Sequence, residues 1–287
     1  MRYEAPQTTP EAVALLAGTK GKVHILAGGT DLIVRMKGGF VEPDMVLDIK
    51  RIKAMHLIRK TKSGLSIGAA VTCGEMGVHK ALKKAWPGVV ESANLIGSDQ
   101  IQGRCTITGN LCNASPAADS IPALIAADAR ALIAGPKGER LLDVGSLPTG
   151  PGKNALKKGE LVVSIELPPR DARSADAYLR FTPRTEMDIA VVSAAVNLTI
   201  DRQGVITAAR VALGAVAPTA IRVPAAEKAL LGNKLDAATL AAVGEACSAA
   251  CKPIDDKRGT VEYRTRVAGV LAKRAAQAAW MRAGGKP

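Results

Sequence analysis

Two runs of small and hydroxyl-bearing residues constrain this chain more than any other feature. Residues 27–31 read Ala-Gly-Gly-Thr-Asp, and residues 104–119 read Arg-Cys-Thr-Ile-Thr-Gly-Asn-Leu-Cys-Asn-Ala-Ser-Pro-Ala-Ala-Asp. In the first run, Gly28 and Gly29 can take positive φ and turn consecutive N–H groups towards an anion. Thr30 and Asp31 stand where they would cap a following helix and add its positive dipole end. In the second run, Thr106 and Thr108 supply hydroxyls, Gly109 permits close backbone approach, and Asn110 can bond backbone or phosphate. Asp119 follows at a distance that suits a ribose hydroxyl. Either run alone also reads as a plain turn ahead of a helix. Together they point to a nucleotide whose pyrophosphate is held from two sides.

The G-x-G-x-x-G fingerprint of doubly wound dinucleotide domains is absent from both runs. The chain reads instead as α+β. Thr9 reads as the cap of a helix with Pro10 at its first helical position and glycines at 18 and 21 to end it, and residues 22–26 form a strand that runs into the first glycine loop. Residues 32–36 suggest a short helix and 45–49 a strand. Residues 56–59 and 65–69 form a hairpin through Lys62-Ser63-Gly64. Thr72 and Glu75 make a capping box ahead of a helix over 76–82, and residues 89–95 are helical. Residues 129–134 pair with 140–144. The charged, proline-bearing stretch 168–176 marks a boundary. Beyond it, residues 191–200 and 205–216 flank Asp201-Arg-Gln-Gly204 as a hairpin, and helices follow over 225–231, 237–250 and 263–282.

With 287 residues and 47% hydrophobic content, the chain can bury two cores. Its formal charge of +13 raises nucleic acid as a partner. Against that, the basic residues are scattered, and aromatic residues make up only 2%, too few for stacking platforms. No nucleic acid is expected. Five cysteines, Cys73, Cys105, Cys112, Cys247 and Cys251, at irregular spacing argue for a reducing compartment. With neither a signal peptide nor an apolar run of membrane-spanning length, a cytoplasmic location is expected.

The two loops resemble the flavin-binding motifs of the medium subunit of molybdenum hydroxylases. That group includes the bacterial carbon monoxide, xanthine and nicotinate dehydrogenases and related aldehyde-oxidising enzymes. The resemblance continues through Gly150-Pro-Gly, residues 160–168 (Glu-Leu-Val-Val-Ser-Ile-Glu-Leu-Pro) and 184–190 (Arg-Thr-Glu-Met-Asp-Ile-Ala). It ends at residues 253–264 (Pro-Ile-Asp-Asp-Lys-Arg-Gly-Thr-Val-Glu-Tyr-Arg), so it covers essentially the whole chain. It implies an FAD domain of the vanillyl-alcohol-oxidase (PCMH) type over residues 1–172, with subdomains of about 1–55 and 56–172. A small C-terminal α+β domain over 173–287, an antiparallel sheet with helices, would follow.

By the same resemblance, Ala27, Gly28, Gly29, Thr30 and Asp31 hold the pyrophosphate from one side. Thr106, Ile107, Thr108, Gly109 and Asn110 hold it from the other, and Asp119 binds the ribose or adenosine part. Ile96 lies against the flavin ring, while Val162 and Arg180 contact the flavin edge or adenine end. The implied partners are a small 2Fe-2S subunit and a large molybdopterin subunit, assembled as a dimer of heterotrimers. One departure is notable. The family usually reads Thr-Ile-Gly-Gly-Asn, and here Thr108 replaces the first glycine. A Cβ there fits if φ is negative, and the expectation is that its hydroxyl adds a phosphate bond.

His24, His56 and His79 are isolated and read as structural. Cys247 and Cys251 stand one helical turn apart without a second pair, so no metal is assigned. No catalytic constellation is expected, since the cofactor carries the chemistry. Two alternatives stand beside this reading: a self-sufficient FAD oxidase or dehydrogenase, and a non-enzymatic anion or nucleic-acid binder.

Overall fold

The computed structural model describes residues 1–185 and 187–286; Glu186, within the 184–190 motif, lies outside the described residues. The chain opens with β1 (Arg2–Glu4), α1 (Thr9–Gly18), β2 (Val23–Leu26), α2 (Leu32–Lys37) and β3 (Met45–Asp48). The three strands form a parallel sheet in the order β1-β3-β2. Every residue of the central β3 is buried, as expected of a strand covered on both faces. Ala12 and Leu16 of α1 share its core with Met45 and Leu47. The start of α1 falls one residue from the sequence reading. Thr8 is its N-cap, accepting the Glu11 N–H, and Pro10 sits in the first turn.

A second sheet is antiparallel in the order β4-β5-β10-β6-β7, from β4 (Ile58–Thr61), β5 (Gly64–Gly68), β6 (Arg130–Gly135), β7 (Gly138–Asp143) and β10 (Leu161–Leu167). A two-stranded ribbon, β8 (Pro148–Gly150) and β9 (Lys153–Asn154), precedes β10. Between β5 and β6 run α3 (Cys73–Val78), α4 (Lys80–Ala85), α5 (Pro87–Asn94), α6 (Asp99–Gln102), α7 (Ile107–Asn113) and α8 (Ser120–Ala126). The single helix expected over 76–82 is broken at His79. Its ring Nδ1 accepts the Leu82 N–H and starts a new helix, a role its isolation in sequence did not suggest. The capping box of Thr72 and Glu75 is formed. All seven residues of α8 are buried, so its apolar run is a core helix.

The C-terminal part is an antiparallel sheet of β11 (Ser174–Phe181), β12 (Val192–Ile200), β13 (Ile206–Gly214) and β14 (Ile221–Arg222). Helices α9 (Pro224–Leu230), α10 (Ala237–Ala250) and α11 (Val261–Arg282) accompany it. Ala268, Ala272, Ala275, Ala276 and Ala279 form the buried stripe of α11. Such small side chains let a helix lie close on a sheet, which explains how a chain poor in aromatics still closes this core.

The two halves are joined through polar anchors. Asp176, at the start of β11, accepts the Val89 N–H at 3.0 Å. It also pairs with Arg170, whose guanidinium lies 4.0 Å over the Trp86 ring. No described helix is long and apolar enough to cross a membrane.

Candidate FAD site

The first glycine loop leaves the end of β2 and meets the second loop backbone to backbone. A Cβ on Gly28 would lie 2.2 Å from Arg104 O and 2.8 Å from Cys105 Cα, so only hydrogen fits there. Gly29 follows with φ +82°, a conformation that favours glycine. The N–H groups of Gly28, Gly29 and Thr30 find no acceptor among the described residues. Asp31 occupies the N-cap position of α2, but its carboxylate makes no capping hydrogen bond, contrary to the capping role read from sequence.

The second loop is pinned on its other side. Cys105 O accepts the Cys73 N–H at 2.8 Å, and Thr106 Oγ1 accepts the Gly109 N–H at 2.9 Å, capping α7. Thr108 lies inside α7 without positive φ, so its Cβ is accommodated where the family usually has glycine. Its hydroxyl is buried and has no hydrogen-bond partner among the described residues. Asn110 Oδ1 accepts from the Ser120 hydroxyl at 2.6 Å, tying α7 to α8.

The two loops line one cleft. Ala27, Gly28, Gly29, Thr30 and Asp31 face Thr106, Thr108, Gly109 and Asn110 across it, and Ile96 and Val162 line it as well. Val162 precedes a register shift between β10 and β6, an irregularity of the kind that re-aims side chains beside sites. Ile107 is instead packed in the core at 1% exposure.

Asp119 and Arg180 do not line the cleft. Arg180 donates to the Asp119 carboxylate at 2.7 Å and Tyr178 donates to it at 2.6 Å, all beneath the surface. Burial pushes the Asp119 carboxyl above its ordinary range, against the pull of Arg180 and Tyr178. The pair lies one residue from the Asn110–Ser120 contact.

Several cleft residues were not singled out from sequence. His24 on β2 lines it, although isolation marked this residue as structural. Burial, with help from Arg35 and Lys22, holds its imidazole below the ordinary range. Arg35, on the helix leaving the glycine loop, also faces the cleft; a base on that helix was a legible signal. Cys105 and Cys112 line it too. The neighbouring Cys73 thiol holds the Cys105 thiol below its ordinary range, whereas burial pushes Cys112 up to about 12.

The donor set fits FAD. Three unpaired backbone N–H groups, an unpartnered hydroxyl and the Arg35 cation suit a diphosphate. The apolar stretch of Ile96, Leu156, Leu161 and Val162 suits a flat ring.

Comparison with known proteins agrees. The family described as "FAD binding domain in molybdopterin dehydrogenase" matches residues 1–170, and "CO dehydrogenase flavoprotein C-terminal domain" matches residues 177–279. The carbon monoxide dehydrogenase medium chain of Hydrogenophaga pseudoflava is 33% identical over 280 residues, covering 98% of this chain and 97% of the relative. The nicotinate dehydrogenase FAD-subunit of Eubacterium barkeri is 31% identical over 244 residues, covering 84% and 82%. Among solved structures, carbon monoxide dehydrogenase from Hydrogenophaga pseudoflava superposes with a TM-score of 0.93 at 34% identity, covering 98% of both chains. Quinoline 2-oxidoreductase from Pseudomonas putida 86 gives 0.90 at 26% identity, covering 99% and 98%. The α+β architecture, the FAD-type cleft and these matches over the whole chain place the protein in the family of FAD-binding medium subunits of molybdenum hydroxylases.

Proposed function

We propose that this chain holds FAD in the cleft between its two loops and serves as the electron-transfer subunit of a molybdenum hydroxylase complex. Gly28, Gly29 and Thr30 present N–H groups to the diphosphate from one side, and the segment 106–110 closes on it from the other. Ile96 and Val162 flank the flavin ring and keep water from one face. Asp119 and Arg180 act from behind α7, as a buried pair that steadies the contact between Asn110 and α8. When bound, FAD supplies a centre that takes up electrons singly and releases them in pairs.

A small 2Fe-2S subunit delivers the electrons, a large molybdopterin subunit performs the oxidation, and NAD, a quinone or oxygen receives the pair. The assembly is a dimer of heterotrimers in the cytoplasm. The FAD domain spans residues 1–172, with subdomains of about 1–55 and 56–172, and the C-terminal domain spans 173–287. This division is supported by the separate sheets and by family matches that break between 170 and 177.

The observation that carries the reading is the convergence of unpaired donors from two distant loops on one cleft. Native purification tests it, read by absorption spectrum and by the masses of co-eluting chains. An oxidised-flavin spectrum with a small iron–sulfur and a large molybdenum-containing chain is expected. A colourless protein that elutes alone and takes up no added FAD would refute it.

A further inference from the structure

The second loop carries two threonines, and the fold uses the hydroxyl of only one. Thr106 Oγ1 is occupied by the Gly109 N–H. Thr108 is 5% exposed, and its Oγ1 has no partner among the described residues. A threonine within a helix ordinarily relieves this by bonding the carbonyl three or four residues back. Here those carbonyls are Cys105 O, which accepts the Cys73 N–H, and Arg104 O, which packs against Gly28. Because α7 begins at Ile107, neither belongs to a preceding helical turn. Buried hydroxyls without partners are rare in folded proteins, and each calls for a reason.

We propose that the Thr108 hydroxyl is a donor held for a phosphate oxygen, and that it sets this chain's preference for a flavin dinucleotide over flavins that lack the diphosphate. The inference rests on the reading of the cleft as the FAD site. Thr108 shares that cleft with the unpaired N–H groups of Gly28, Gly29 and Thr30 and with the Arg35 cation. The Asp31 carboxylate, which also lines it, is solvent-exposed. An anionic oxygen is the acceptor that complements this set. Ile96 and Val162 offer no such group, so a ligand reduced to its ring system gains nothing from the hydroxyl.

The test is equilibrium binding of FAD, ADP and riboflavin to the flavin-free full chain, as wild type, Thr108→Val and Thr108→Ser. Valine keeps the shape and removes the hydroxyl, and serine keeps the hydroxyl. Thr108→Val is expected to weaken FAD and ADP about 10- to 100-fold, as for a lost hydrogen bond to a charged group, and to leave riboflavin unchanged. Thr108→Ser should stay close to wild type.

The melting temperature of flavin-free Thr108→Val should equal or exceed that of wild type, because an unpartnered polar atom has been removed. A lower melting temperature would show that the hydroxyl has a structural role, which overturns the proposal. Undiminished FAD binding by Thr108→Val, or an equal loss for all three ligands, overturns it as well. Wild-type protein that binds none of the three overturns the site assignment itself, an outcome distinct from a failure of Thr108 alone.

Discussion

Replacing Gly28 by alanine probes the junction on which the cleft depends. The added Cβ would sit 2.2 Å from Arg104 O, where ordinary contact begins at 3.4 Å, so about 1.2 Å of separation is needed. The obstructing atoms are backbone of the second loop and cannot rotate away as a side chain tip would. Overpacking of this kind costs about 1–3 kcal/mol.

In the flavin-free Gly28→Ala chain the loops are expected to part and release some of that strain. A diphosphate bound to both loops draws them together again and restores it. The penalty therefore appears chiefly in affinity: about a 5- to 150-fold rise in the FAD dissociation constant, with a smaller loss of thermal stability. Flavin fluorescence titration measures the first and calorimetry the second. Gly18→Ala, where an added Cβ meets nothing within 4 Å, serves as the control and should match wild type in both. A Gly28→Ala protein that binds FAD as tightly as the control would refute the reasoning, since the loops would then not need to meet.

Other consequences follow from the same geometry. Cys105 and Cys112 line the cleft, so FAD should slow their labelling by iodoacetamide relative to the flavin-free chain; mass spectrometry of the labelled peptides reads the difference, and equal labelling would place FAD elsewhere. Arg180→Ala leaves the buried Asp119 carboxylate with Tyr178 alone, and removal of one partner of a buried pair should cost about 3–5 kcal/mol of folding stability in a denaturant titration; an unchanged midpoint would contradict the structural role given to the pair. The hydrogen bond from Arg140 holds Glu160 below the ordinary 4.5. Its folded pKa is depressed, so its contribution is present above pH 4.5 and lost as pH falls through the folded value. Glu160→Gln should therefore lower the melting temperature at neutral pH and flatten the decline on acidification, and parallel curves would argue against it.

What the sequence disclosed follows the range of the forces involved. The Thr72–Glu75 box, the hairpin around residues 201–204 and the helix after Pro10 are set by neighbours in the chain, and all three are found. The parallel pairing of β1 with β3, and the central position of β10 between β5 and β6, join distant segments that carry no local mark of each other. The two loops were legible as anion-binding runs. Their direct contact through Gly28 and Arg104 was not, because it depends on how two sheets are set against each other. In the sequence Asp119 and Arg180 suggest separate ligand contacts, whereas the fold pairs them with each other below the surface. His24 borders the cleft, but a lone histidine on a strand gives no sign in the sequence of which cleft that strand borders.

The central claim is that a flavin dinucleotide is gripped at its diphosphate by both loops. A crystal structure of the FAD complex measures this most directly. Diphosphate oxygens are expected within hydrogen-bond reach of the Gly28 or Gly29 amide on one side and of the Thr108 hydroxyl on the other. A diphosphate lodged elsewhere, such as the polar cavity beside Trp86, Arg170 and Arg210, would contradict it.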